Sequence, residues 1–167
     1  MEPPQENSEQ EEGYSASALD DLGVALGAAL HSLLETQSVK PLGSWLEDEA
    51  VLAAFERFRG NMRGAADLLH TRSRNISRWM PAILARDHER SGSLLWQEPR
   101  KIVKRWMMEC PMLDEPPLQV LEGLLLSQVE RQCTQLSMTE RARIMGLSAP
   151  TYQKRLQDYL KRAAMDG

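Results

Sequence analysis

Leu19, Leu22, Leu26, Ala29 and Leu33 recur at alternating steps of three and four, the spacing that lines one side of an α-helix with apolar side chains. This predicts a helix that starts near Ser15 and ends before Pro41. Gly43-Ser44 opens a second helix, in which Val51, Phe55 and Phe58 share a face, and Arg59-Gly60-Asn61 stops it. A short helix, Met62 to Leu69, then leads through a turn at His70 to Arg72 into a helix that starts at Ser73 and must weaken at Pro81, whose ring crowds the preceding turn. Arg86 to Ser93 is polar and contains a glycine, which predicts a linker over 86–97.

The same order of elements returns. Ile102, Val103, Trp106 and Met107 stripe a short helix within Pro99 to Cys110, prolines interrupt it, and Leu118, Leu121, Leu125, Val129 and Leu136 stripe a long one. Ser137 or Thr139 caps a helix ending at Met145, Gly146 makes the turn, and Ser148 caps a last helix through Tyr152, Leu156, Tyr159 and Leu160. Ala66 and Ala142, Leu68 and Ile144, Leu69 and Met145, Ile76 and Tyr152, Met80 and Leu156, and Leu84 and Leu160 all match at one offset of 76. The chain is a divergent internal duplication. No stretch alternates apolar and polar over the length of a strand, so the fold class is all-α: two tandem modules, each ending in a helix-turn-helix, with helices that must share a core in 167 residues.

Charge changes this picture. The net value of -4 argues against a nucleic-acid binder, yet residues 1–53 carry -10, residues 54–105 carry +7 and residues 106–167 carry -1. A basic middle lies between an acidic head and a nearly neutral tail. Residues 1–14 are polar and acidic, which predicts a disordered tail rather than a signal peptide or anchor, followed by module 1 at 15–85 and module 2 at 98–167. No apolar run approaches the roughly 20 residues of a membrane span, and Cys110 and Cys133 lack a metal or disulfide spacing. A cytoplasmic protein is expected.

Arg59-Gly60-Asn61-Met62-Arg63-Gly64-Ala65-Ala66-Asp67-Leu68-Leu69 resembles the turn and first helix of the helix-turn-helix in the bacterial factor for inversion stimulation (Fis) and in the C-terminal domains of NtrC-type activators. The likeness covers roughly Leu19 to Leu84. The second copy resembles the family over roughly Leu118 to Leu160, through Val129-Glu130-Arg131, Ala142 to Ser148 and Pro150 to Leu156. Ser73 and Ala149 stand where the family often has an arginine, and His70 and Thr71 replace a glycine and an apolar residue. The resemblance implies Fis-like four-helix modules, pairing either within one chain as a pseudo-dimer or as a homodimer, and bending of double-stranded DNA.

Apart from that resemblance, small Ala65, Ala66 and Ala142 suit a close helix crossing, and Ile76 and Met80, or Tyr152 and Leu156, anchor the second helix inward at a spacing of four. Arg72, Ser73, Arg74, Asn75, Ser77 and Arg78 then face outward, with Arg63 nearby, and Arg and Asn at such a helix start can read guanine and adenine edges. The second outward set is Ser148, Thr151, Gln153, Lys154 and Arg155, together with Ala149. Trp45, Trp79, Trp96 and Trp106 are expected to pack, and Gly23-xxx-Gly27 is expected to be incidental. His31, His70 and His88 lack an evident carboxylate or nucleophile partner, and no phosphate-binding glycine loop occurs, so neither an enzyme nor a cofactor or metal is expected. The leading reading is a DNA-binding transcriptional regulator. The alternative is an adaptor or anti-regulator that binds RNA polymerase or another regulator.

Overall fold

The structure, a computed structural model, describes the backbone of residues 6–112 and 114–166, and side chains over 17–112 and 114–165. It is all-helical, with no strand among the described residues. In chain order the helices are α1 (Glu6–Thr36), α2 (Leu42–Arg57), α3 (Met62–Leu69), α4 (Ser73–Ala85), α5 (Asp87–Gly92), α6 (Gln97–Glu109), α7 (Pro117–Gln132), α8 (Met138–Met145) and α9 (Ala149–Asp166). A 3-10 turn, Leu94–Trp96, precedes α6.

The core forms between the two halves of the chain. α1 packs against α6 and α7, and α2 packs against the same two helices. Leu22, Leu26, Leu30 and Leu33 of α1 are buried among Ile102, Val103 and Trp106 of α6 and Leu121, Leu125 and Val129 of α7 in one apolar cluster. Each such leucine contributes about 1.5–3 kcal/mol when removed from water, and its burial depends on the opposite half. The two halves therefore share a core, as the length requires.

α2 buries more than the predicted stripe. Val51 is buried and Phe55 and Phe58 are half-buried, but Trp45, Leu46, Ala50, Ala53 and Ala54 are buried as well. The helix touches α3, α6, α7 and α8, and a helix enclosed on several sides loses its amphipathic pattern. Gly23 and Gly27 sit at the α1 crossing of α7, where a Cβ at Gly27 would come 2.7 Å from the Gln132 Nε2. A Cβ at Gly23 would meet only ordinary contacts at 3.7 Å, and at Gly27 the near neighbours are the ends of flexible glutamine side chains.

Three further expectations differ from the structure. The backbone of Glu6–Tyr14 continues α1 where a disordered tail is expected; glutamates suit the positive end of a helix dipole and carry good helix propensity. The remainder of that predicted tail, residues 1–5, lies outside the described residues. Ser17–Thr36 is long and apolar enough, at a mean hydropathy of 1.2, to meet the length and composition of a membrane span; its leucines enter the shared core instead. α4 also runs through Pro81 to Ala85. Ser77 and Pro81 are both exposed, so the carbonyl that proline leaves unbonded lies on the solvent side.

The predicted linker is structured. Arg90 of α5 is 0% exposed: its Nη1 donates to Asp48 Oδ2 at 2.6 Å and to the Ile83 carbonyl at 2.9 Å, and its Nε donates to Glu49 at 3.1 Å. Arg86, following α4, forks onto Asp48 through Nε at 2.8 Å and Nη2 at 2.7 Å. Trp96 then meets Trp45 edge-on, ring centroids 5.6 Å apart. A polar run reads as solvated; here Arg90, the Arg86 fork and one indole face inward.

Candidate nucleic-acid interface

Two similar two-helix units stand on this core. α3 and α8 begin and end at residues 76 apart, as do the starts of α4 and α9. The equivalence extends to hydrogen bonds. The Thr71 N–H donates to the Ala66 carbonyl at 2.9 Å and the Leu147 N–H to the Ala142 carbonyl at 2.8 Å. His70 (φ 56°) and Gly146 (φ 72°) both adopt the left-handed conformation that turns the chain. Gly146 suits this without strain, while histidine is among the side chains that tolerate it better than most.

Capping fixes where each unit starts. After left-handed Arg59 and Gly60, Asn61 Oδ1 accepts from the Arg63 N–H at 3.0 Å and the Gly64 N–H at 3.2 Å. Ser137 Oγ accepts from the Glu140 N–H at 3.2 Å. Gly64 is small by necessity: a Cβ there would stand 2.5 Å from the Phe58 ring. Ala65, Ala66, Ala142, Ile76 and Tyr152 are buried, whereas Met80 and Leu156 are half-buried.

The predicted outward residues of the first unit differ in exposure. Arg63, Arg72, Arg74, Ser77 and Arg78 are exposed, and Ser73 and Asn75 are half-buried. Among the described residues the side chains of the four arginines make no hydrogen bond or ion pair. Asn75 Nδ2 donates to Thr71 Oγ1 at 3.0 Å, which orients the amide, and Ser77 Oγ lies 3.8 Å from Met62 Sδ. The rest of the basic segment is largely committed to the protein itself. Arg86, Arg90, Arg100, Lys104 and Arg105 hold carboxylates, and Arg57 donates to the carbonyls of Met107 and Cys110.

The second unit is differently occupied. Ser148 Oγ accepts from the Thr151 N–H at 3.4 Å, which caps α9, and its hydroxyl donates to Thr151 Oγ1 at 2.9 Å. Arg155 donates to Glu122 at 2.7 Å. Arg141 reaches the Cys133 carbonyl at 3.0 Å, the Thr134 carbonyl at 3.1 Å and Glu130 at 3.3 Å, and the Tyr152 hydroxyl also donates to Glu130. Burial, then the bond to Glu130, pushes the Tyr152 phenol far up. Gln153 and Lys154 remain exposed.

Trp79 and Arg155, equivalents at the 76-residue offset, line one groove of about 420 Å3 between α4 and α9. An adjoining cavity of about 230 Å3 shares Glu47, Trp79 and Leu118 with it and also holds Arg78 and Arg86. Trp79 is 37% exposed here, while Trp45, Trp96 and Trp106 are core. Glu47 reaches solvent but is hemmed in by the groove walls; that desolvation first, and Glu122 second, raises its pKa. Burial likewise raises Glu122, against the opposing pull of Arg155.

Sequence reasoning missed Glu47, Glu122 and the Asp48–Arg86–Arg90 cluster, for which adjacent acids at 47–49 within an apolar helix were the available signal. It also missed the carboxylate beside His31, which is Glu35 at 3.0 Å, one turn along the exposed side of α1. Comparison with protein-family models, with curated proteins and with solved structures finds no match for this chain.

Proposed function

We propose that this chain is a double-stranded DNA-binding regulator or architectural protein, in which α3–α4 and α8–α9 serve as helix-turn-helix units of an intramolecular pseudo-dimer. One observation carries the reading: Arg63, Arg72, Arg74 and Arg78 stand exposed and uncommitted around the start of α4, while most neighbouring cations are tied internally. Arginine with a free planar fork can pair bidentately with guanine or with phosphate. Binding rather than catalysis is the role, and the cytoplasm is the compartment, where Cys110 and Cys133, both buried with thiol pKa values raised first by desolvation, stay reduced.

α4 and α9 both contribute to the walls of one groove, and the resemblance to Fis implies recognition helices closer together than the roughly 34 Å between successive major-groove faces of straight DNA. A duplex engaging both helices bends toward the protein. Fluorescence anisotropy over a salt series tests the binding: wild type binds duplex DNA with affinity that falls steeply with salt. Arg72→Ala/Arg74→Ala/Arg78→Ala removes most low-salt affinity and flattens the log–log slope by about one for each of the three that contacts phosphate. Unchanged binding by the triple variant sinks the assignment of α4.

The adaptor reading has one observation in its favour. Glu47, Glu122 and Asp158 line the groove between α4 and α9, where a bent duplex would bring phosphates. Absence of salt-dependent binding to any duplex would favour it.

A further inference from the structure

We infer that base sequence is read by α4 alone, and that the second unit holds DNA through its backbone, so the preferred duplex is asymmetric; this rests on the DNA-binding reading above. The duplication makes the comparison position by position. Arg72, Arg74 and Arg78 correspond, at the offset of 76, to Ser148, Pro150 and Lys154. Three uncommitted guanidinium forks thus face one ammonium, a point charge suited to phosphate rather than to the two acceptors of a guanine edge.

The remaining polar groups at the start of α9 are engaged. The Ser148 hydroxyl donates to Thr151 Oγ1 and accepts from the Thr151 N–H, Pro150 has no N–H to offer, and Arg155, half-exposed, is held by Glu122. In α4, by contrast, the N-cap residue Arg72 makes no side-chain cap bond. Asn75 is steadied by Thr71 through its Nδ2, which leaves its Oδ1 available. Gln153 and Gln157 are the exposed α9 side chains able to pair with an adenine edge. Both lie beyond the first turn of α9, whereas Arg72 and Arg74 stand at the start of α4, where base contacts in such units concentrate.

Selection of the full-length protein on duplexes with a randomised window tests this. One conserved block on one side of the site is expected. Arg74→Ala relaxes that block at a single position, losing about fivefold to a hundredfold discrimination there. Lys154→Ala weakens all sequences alike and lowers the salt slope by about one, and Gln153→Ala leaves the selected sequence unchanged. A palindromic site, two blocks of equal information, or a position relaxed by Gln153→Ala overturns the inference. So does salt-dependent binding without any enriched sequence. Failure to bind any duplex at low salt overturns the DNA-binding reading itself, and the inference with it.

Discussion

Arg90 carries a charge into the centre of the molecule. Desolvating a guanidinium costs several kcal/mol, which only close, well-satisfied countercharges offset; Asp48, Glu49 and the Ile83 carbonyl supply them. Asp48 serves two arginines at once, so Asp48→Ala should destabilise the fold by about 3–5 kcal/mol, seen as a lower urea midpoint at unchanged slope. A loss under about 1 kcal/mol would mean that water reaches the cluster. α7 begins and ends 75 residues after α2, which puts Gly123 and Leu124 at the equivalents of Asp48 and Glu49, so the cluster is not a requirement of the repeat. None of this was legible residue by residue, because a polar run gives no sign of which charges will be enclosed. The outward arginines were legible, since their neighbours Ile76 and Met80 fix the inward side. Glu47 supplies a pH test. Ionised, it opposes phosphate near the groove; as pH falls through its raised pKa the charge is lost and DNA affinity rises, an effect that Glu47→Gln should flatten. The sign for stability is the same: this residue's contribution is full below the ordinary glutamate range and lost as pH rises through the raised value.

Helix ends were the most legible elements, because caps are local chemistry. Asn61, Ser137 and Gly146 stand where a chain must satisfy orphan amides or turn left-handed. Asn61→Ala should cost about 1 kcal/mol of stability, and His70→Gly should gain up to about 1 kcal/mol by removing a side chain from a left-handed residue; chemical denaturation reads both. A destabilised His70→Gly would show that His70 makes contacts worth more than its backbone strain. α5 and the full length of α4 were not legible. A six-residue polar helix has no apolar period to detect, and proline in an exposed helix face is penalised by rule more heavily than where its orphan carbonyl can meet solvent.

Across the whole molecule, the periodic leucines predicted which faces would be apolar, but not that each hairpin would bury them against the opposite one. Periodicity is a property of one segment, whereas the choice of neighbour is set by how all the faces close together. The interleaved core makes a strong prediction: residues 1–96 and 97–167 expressed separately should each lack cooperative unfolding, and mixing them should restore it. Independent folding of either piece, seen as a sharp thermal transition, would contradict the shared core. Joining both halves in one polypeptide also changes how the molecule responds to scarcity. A reader assembled from two separate chains disappears as the square of its abundance falls, whereas in the proposed pseudo-dimer assembly is unimolecular and dilution leaves it intact. Binding should track protein level in simple proportion down to a few copies per cell, and a mutation in one half is not copied into the other, which leaves the two halves free to evolve apart.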